Sequence, residues 1–128
     1  MGSQQHDRSG RLSADLLKRF VEFGTRVLKL AQKLEQDHRP RRVVDQIVGS
    51  GTSPGAHIFE AHAALSTADF LKLIGGAAKE LNETLYWLGL IEGMQWEPPE
   101  RLTPLIDETL QLISICKAMN ARTRKRLR

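Results

Sequence analysis

A histidine and three glutamates at helical spacing are the residues of this sequence best suited to metal chemistry. His57 and Glu60 are three residues apart, as are Glu80 and Glu83. Di-metal sites in helix bundles use Glu-x-x-His elements from two helices. Here the order of histidine and glutamate is reversed, and the sequence contains no second such element. We therefore predict no metal site and no cofactor.

Nucleophilic catalysis also lacks the residues that it needs. Cys116 is the single cysteine, so an internal disulfide is excluded, and its place on an apolar helical stripe is typical of an inert core thiol. No Ser-His-Asp or Cys-His combination is evident in the sequence. We therefore expect a protein that is not an enzyme.

A glycine-rich stretch, QIVGSGTSPGAHIFEA at residues 46–61, raises the question of a phosphate-binding loop. In a dinucleotide fingerprint Gly55 would come one residue late, and no strand pattern precedes it. A P-loop requires Lys and then Ser or Thr after its last glycine, whereas Ala56 and His57 follow here. The stretch instead predicts a helix with a small-residue face and a kink near Pro54, where serine and threonine hydroxyls satisfy freed carbonyls.

Four stretches repeat apolar residues at alternating spacings of four and three, which predicts four amphipathic helices. Ser13 caps the first helix, over residues 13–36, and Pro40 precedes the second. Ser66 opens a capping box before the third helix, which Gly93 ends. The stripe of the second helix runs through Val44, Ile47 or Val48, Gly51, Gly55, Ile58, His62 and Leu65. The stripe of the third runs through Phe70, Ile74, Ala77, Leu81, Thr84, Leu88 and Ile91.

Short connections between long helices favour antiparallel neighbours. The predicted fold class is therefore all-α, an antiparallel up-down-up-down four-helix bundle over residues 13–120. A flexible leader (residues 1–12) precedes it and a basic C-terminal tail (residues 121–128) follows. Hydrophobic residues make up 41% of the chain but aromatic residues only 5%, which suits helix-on-helix packing of aliphatic side chains.

The register of helices two and three follows from a turn near residue 66. Facing residues should have numbers that add up to about 132, which places Gly55 and Ala56 opposite Gly76 and Ala77, and Gly51 opposite Leu81. The same register predicts a polar seam of ion pairs and hydrogen bonds that fix the register; a ligand pocket is the alternative. The seam comprises Ser53, Glu60, Lys72, Lys79, Glu80 and Glu83.

Several short motifs, in order, resemble a known family over about residues 15–118. They are Ser50-Gly51-Thr52-Ser53, Gly55-Ala56, Glu60-Ala61, Ser66, Asp69-Phe70, Lys79-Glu80, Glu83-Thr84 and Tyr86-Trp87-Leu88. The chain resembles the four-helix bundle proteins encoded in bacterial 23S rRNA intervening sequences, the S23 family. His57, where asparagine is common, and Gly75-Gly76 depart from the pattern.

This resemblance implies an up-down bundle that assembles as a ring-like homopentamer. A related branch comprises the accessory variability determinants of diversity-generating retroelements, which bind nucleic acid and a reverse transcriptase. Tyr86 and Trp87 lie beside the apolar stripe, which predicts one ring in the core and the other at a subunit interface; ordinary core or loop packing is the alternative.

Arginine clusters are the features that point to a partner. The first cluster is Arg39, Arg41 and Arg42; the second is Arg122, Arg124, Lys125, Arg126 and Arg128. In an up-down bundle the two clusters lie at opposite ends. The net charge is +4 and the isoelectric point is about 9.6. We predict a non-catalytic oligomer that binds RNA or DNA backbones, with a reverse transcriptase as a further partner; a protein-interaction scaffold without nucleic-acid binding is the alternative.

Location follows from what the sequence lacks. No apolar run approaches the roughly 20 residues of a membrane span, and the N-terminal residues do not resemble a signal peptide. The basic segment has no adjoining apolar face with anchoring aromatic residues, so we expect no membrane attachment. The expected location is the cytoplasm.

Overall fold

The computed structural model describes residues 11–127, which form four α-helices and no strand. Helix α1 spans Ala14–Gln36, α2 spans Arg41–His62, α3 spans Thr67–Gly93 and α4 spans Pro99–Arg126. Close packing joins α1 to α2, α2 to α3 and α3 to α4, whereas α1 and α4 approach each other at few points. The predicted all-α, four-helix bundle is confirmed, and its α1–α4 seam is the most open.

Both predicted serine caps are present. The Ser13 hydroxyl accepts a hydrogen bond from the Leu16 amide at 3.2 Å, and the Ser66 hydroxyl accepts one from the Asp69 amide at 3.1 Å. Each satisfies a helix amide that has no partner within its own helix. At the other end of the bundle, α1 and α3 are followed by His38 and Gln95 in the left-handed region, with φ of 57° and 58°.

The apolar stripe of α3 is confirmed in full, since all seven predicted residues are buried. For α2, the predicted stripe is confirmed from Val44 to Gly51 and at Ile58, which are buried. At the two other helical positions the prediction is wrong, because Pro54 is buried in place of Gly55 and Ala61 in place of His62. Leu65, predicted to lie on this stripe, is instead 99% exposed in the α2–α3 loop. Small residues produce little apolar periodicity, so the pattern does not specify which of them face the core.

Gly51 and Gly55 of α2 pack against α1, so the prediction that they face α3 is wrong. A Cβ atom built on Gly51 would lie 2.4 Å from Val27 Cγ1, and one on Gly55 would lie 3.6 Å from the Phe20 carbonyl oxygen. Toward α3, the His57 ring lies against Gly76 instead. That pair lies within one residue of the expected register, so the predicted register of α2 and α3 is close.

Helix α2 continues without interruption through Pro54, which is buried. The Thr52 hydroxyl donates to the Val48 carbonyl and the Ser53 hydroxyl donates to the Gly49 carbonyl, each at 2.7 Å. The carbonyl that loses its amide donor to a proline lies four residues before it, which here is the carbonyl of Ser50. The two hydroxyls bond to the neighbouring carbonyls of Val48 and Gly49 instead, so their predicted role in satisfying the freed carbonyl stays a prediction.

The ends of the bundle differ from the expected boundaries. Helix α4 continues to Arg126, so residues 121–126 are helical and do not form a separate tail. The side chain of Leu12 is buried, and its amide donates to His62 Nδ1 at 3.2 Å. The Arg11 amide donates to the His62 carbonyl, also at 3.2 Å. Residues 11 and 12 are therefore docked on the end of α2, and the rest of the predicted leader lies outside the described residues.

A buried hydroxyl pair is the polar contact between α2 and α3. Ser50 Oγ and Thr84 Oγ1 are 3.0 Å apart, and Thr84 Oγ1 is also 2.9 Å from the Glu80 carbonyl oxygen. The two side chains are almost fully buried. This pair connects the middle of α2 to the middle of α3.

We expect Thr84→Val to lower the free energy of unfolding by about 1–3 kcal/mol, because it leaves the buried Ser50 hydroxyl without its partner. Ser50→Ala in the Thr84→Val background should then cost less than it does alone. Urea denaturation of the two single variants and the double variant measures this coupling. Strictly additive losses would show that the hydroxyls do not stabilise each other.

Candidate nucleic-acid interface

The first arginine cluster lies where the α1–α2 and α3–α4 loops meet. The Arg39 guanidinium is 5.2 Å from the centre of the Trp96 ring, a cation–π contact between the two loops. Arg41 Nη2 donates to Glu35 at 2.6 Å, and Arg41 Nη1 is 3.5 Å from Asp45. Arg42 is exposed and has no ion pair within residues 11–127. Two of the three predicted phosphate-binding arginines thus already have partners within the chain.

Charges at the start of α2 are balanced locally. Arg41 lies in the first turn, where the helix dipole disfavours cations. The hydrogen bond from Arg41 to Glu35 and the nearby charges of Glu35 and Asp45 raise the pKa of its guanidinium above the ordinary value. These carboxylates offset the unfavourable position of Arg41 at the start of the helix. The destabilising effect of the helix dipole is therefore expected mainly at Arg42.

The second cluster occupies the last turns of α4, where Arg122, Arg124, Lys125 and Arg126 are exposed. Arg124 Nε donates to Asn120 Oδ1 at 2.7 Å, and none of the four has an ion pair within residues 11–127. Arg124 lies beside Ile74 and Gly75 in the first half of α3, away from the Trp96 loop. The two clusters are therefore at opposite ends, as predicted; Arg128 lies outside the described residues.

A third basic group lies in the α1–α4 seam and was not predicted from the sequence. Its cations are Arg26, Lys29 and Lys33 of α1 and Arg101 of α4, around a cavity of about 200 Å³. The other residues that line it are Leu30, Glu97, Leu102 and Leu105. We call this the seam cleft. The 3- and 4-residue spacing of the α1 cations could have identified its α1 side, but not the α4 residues.

Next to this cleft, toward the start of α1, hydrogen bonds from Arg19 to α4 close the seam; we call them the polar clamp. Arg19 donates two hydrogen bonds to the Glu108 carboxylate, at 2.7 and 2.8 Å, and one to Gln111 Oε1 at 2.8 Å. The hydrogen bond to Glu108 raises the pKa of Arg19 above its ordinary value. This bidentate pair connects α1 to α4 and so defines where the seam opens.

The predicted polar seam between α2 and α3 does not form a network. Within residues 11–127, no ion pair or side-chain hydrogen bond joins any two of its six members, and Ser53 bonds to the Gly49 carbonyl instead. Glu60, Lys72, Lys79 and Glu83 are exposed, and Glu80 is half-buried. The charged side chains lie largely at the surface, and the side-chain hydrogen bond that joins the two helices is made by Ser50 and Thr84.

Two exposed apolar surfaces lie on different sides of the bundle. The α1–α2 groove is formed by Val21, Gly24, Leu28, Gly55 and Phe59, among others. Val21, Leu28 and Phe59 are each about half exposed. The α3 ridge consists of Tyr86, Leu90 and Met94, which are also exposed. Helix α3 packs mainly on α2 and α4, so the α3 ridge and the α1–α2 groove are separate surfaces.

The neighbouring Tyr86 and Trp87 divide between surface and core. Their rings are 5.0 Å apart in an edge-to-face arrangement, with Tyr86 59% exposed and Trp87 packed against the core. The predicted placement of one ring in the core is confirmed, and the placement of the other at a subunit interface stays a prediction. The Trp87 indole nitrogen is buried without a hydrogen-bond partner in the described part of the chain.

Groups that could support chemistry are isolated from one another. Between residues 11 and 127, no three His, Cys, Asp or Glu side chains come together as metal ligands. Cys116 is in the core, and burial raises the pKa of its thiol to about 11, so it stays protonated at neutral pH. None of the helices in this range is long and apolar enough to span a bilayer.

The fold and these surfaces define an antiparallel four-helix bundle with clustered cations at both ends. Residues 13–118 match the model of the 23S rRNA-intervening sequence proteins, so the chain belongs to this family. The resemblance noted in the sequence is thereby confirmed.

A solved structure provides a second comparison. It is a protein of unknown function from the S23 ribosomal protein family of Bacteroides thetaiotaomicron, and it is 31% identical in sequence to this chain. The match covers 81% of this chain and 96% of that one, with a TM-score of 0.78. Among curated proteins, no sequence matches this chain.

Proposed function

We propose that this protein is a non-catalytic oligomer that binds the phosphate backbone of RNA or DNA. The observation that carries the proposal is the end of α4, where four cations project with no carboxylate paired to them in the described residues. Cations that are not neutralised within the chain remain available for phosphates. Binding would release the counterions condensed on the nucleic acid and would therefore weaken steeply with salt.

A homopentameric ring, which the family resemblance suggests, would increase this effect. The α1–α2 groove and the α3 ridge are different surfaces, as a head-to-tail contact requires, and such contacts produce closed rings when the rotation closes. Every ring would carry five copies of each basic cluster. Arg42 and the α4 cluster would then form two cationic rims suited to polyanions.

The protein partner that we propose is a reverse transcriptase. Support comes from the resemblance to accessory variability determinants of diversity-generating retroelements, and a basic bundle could hold template RNA beside such an enzyme. Co-purification of the protein with the reverse transcriptase of the same genome, before and after nuclease treatment, tests this partnership. Association that disappears with nuclease would mean that RNA alone connects the two.

The nucleic-acid proposal predicts a specific effect of charge reversal at the α4 cluster. Changing Arg122, Lys125 and Arg126 to glutamate should weaken binding of a labelled oligonucleotide by at least tenfold at about 50 mM salt. It should also reduce the slope of log K against log salt by about one for each phosphate that the variant no longer neutralises. Fluorescence anisotropy at several salt concentrations measures both quantities.

A matched control compares two double variants with the same net charge. Changing Lys18 and Lys79 to glutamate alters the charge as much as changing Arg122 and Arg126 does, and both lysines are exposed and lie outside the last turns of α4. This control should retain most of the affinity. Equal losses in the two double variants would mean that net charge, and not the α4 cluster, determines binding.

The alternative is a scaffold that assembles with proteins and not with nucleic acid. It is favoured by the first cluster, where Arg39 lies on Trp96 and Arg41 pairs with Glu35 and Asp45. Those contacts give two arginines a role within the fold. Absence of oligonucleotide binding by the intact oligomer at low salt would support this scaffold function and exclude the nucleic-acid proposal.

A further inference from the structure

The seam cleft combines an apolar interior with a cationic rim. Below the Arg19–Glu108 clamp, Leu30 of α1 and Leu102 and Leu105 of α4 line its interior. The volume of about 200 Å³ is smaller than the usual range for drug-sized ligands, which is about 300–1,000 Å³. The cleft therefore suits one small group and not an extended ligand.

Glu97 gives the cleft a specific polar contact. Its side chain is 4% exposed, yet no donor in residues 11–127 lies within hydrogen-bonding distance of its carboxylate. The nearest cation is Arg101, whose Nη1 is 3.9 Å away and whose side chain is 68% exposed. A buried carboxylate is costly unless donors satisfy it. The cleft thus offers an acceptor to a ligand that carries N–H groups.

The rim cations lie in a row along α1. Arg26 and Lys29 have no ion pair within the described residues, whereas Lys33 pairs with Asp37. Lys33 follows Arg26 by seven positions, so the row extends over roughly 10 Å of helix. A ligand with one small carboxylate would contact only part of this row. The successive phosphates of a nucleic-acid strand would extend along all of it.

We propose that the seam cleft binds one unpaired cytosine of a single-stranded nucleic acid, an inference that rests on the proposed function. The base lies between the leucines, its N4 amino group donates to the Glu97 carboxylate, and the flanking phosphates contact Arg26, Lys29 and Arg101. Acidic side chains accept hydrogen bonds from cytosine N4 in this way. Uracil has the same size but presents an oxygen at that position, which the carboxylate would repel.

Binding of oligocytidylate and oligouridylate of about 12 nucleotides tests this inference, because the two strands carry equal charge. At pH 7.5, the wild-type protein should prefer oligocytidylate by about tenfold, the lower end of the range for a specific base contact. Glu97→Gln, which can donate as well as accept, should reduce the preference to about twofold or less. The salt slope should not change, because the phosphate contacts remain.

A second variant serves if Glu97→Gln disturbs folding. Leu30→Trp at the half-buried edge should fill the cleft and also abolish the preference, with overall affinity retained through the terminal clusters. Equal binding of both oligonucleotides by the wild type would overturn the cytosine site and leave the proposed function intact. A preference that persists in a well-folded variant of either kind would also overturn it. No binding of either strand at low salt would exclude both proposals.

Discussion

Gly51→Ala should lower the free energy of unfolding by about 1–3 kcal/mol, although alanine is the better helix former. The added methyl group would lie 2.4 Å from Val27 Cγ1 and 3.0 Å from Val27 Cβ. Val27 is fully buried, and its β-branched side chain has one strongly preferred rotamer in a helix. Neither helix can yield without disturbing the packing of the core, so the overlap should appear as reduced stability in urea denaturation.

Two neighbouring glycines provide controls on the same helix. Gly49 is exposed with nothing within 4 Å of a built Cβ, so Gly49→Ala should stabilise the protein by about 0.5–1 kcal/mol. Gly55 has only ordinary contacts with Phe20, so Gly55→Ala should be close to neutral or stabilising. These measurements need one fixed protein concentration, because oligomerisation affects apparent stability.

Val27→Ala removes Cγ1, the atom nearest to the new methyl group, together with Cγ2, and leaves Val27 Cβ as the remaining close neighbour. Gly51→Ala should therefore cost less in a Val27→Ala background than in the wild type, which gives a favourable coupling in the double-mutant cycle. Strictly additive effects would show that Gly51 does not pack against Val27. A destabilisation by Gly49→Ala of similar size would show that backbone flexibility, and not close packing, explains these glycines.

Helix α3 shows what the sequence could predict about the fold, and α2 shows what it could not. In α3, large apolar residues at regular spacing specify the buried face, and all seven predicted positions are buried. In the middle of α2, glycine, serine and proline replace such residues, and either face could have packed inward. The antiparallel register required only loop length and helix rise, which is why it was predicted to within one or two residues while the packing face was not.

The candidate site was predictable only where it depends on topology. Opposite placement of the two arginine clusters follows from alternating helix directions. The contacts of Arg39 with Trp96 and of Arg41 with Glu35 depend on loop conformation, which residue spacing does not reveal. Burial of Glu97 gave no signal either, because a charged residue before two prolines is usually exposed. Predicting the seam cleft would also require knowing which residues of α1 lie against the start of α4.

The proposed head-to-tail ring would make the α1–α2 groove and the α3 ridge complementary surfaces of neighbouring subunits. Leu28 in the groove and Leu90 on the ridge are 48% and 38% exposed, so glutamate at either position should leave the fold of the subunit intact. In the assembly the same charge would be desolvated against apolar atoms, with a cost of several kcal/mol per contact. Circular dichroism checks the fold of each variant.

The wild-type protein should have about five times the 14.4 kDa chain mass in light scattering, whereas Leu28→Glu and Leu90→Glu should each be monomeric. Leu65→Glu, at a loop leucine that is 99% exposed, is the matched control and should remain pentameric. An equal mixture of the two monomeric variants is the decisive sample. One retains an intact ridge and the other an intact groove, so a head-to-tail contact can join them once and then stops at a dimer. If the contact were instead groove to groove, Leu28→Glu alone would be monomeric, and if it were ridge to ridge, Leu90→Glu alone would be. In both cases mixing the two variants would produce no new species.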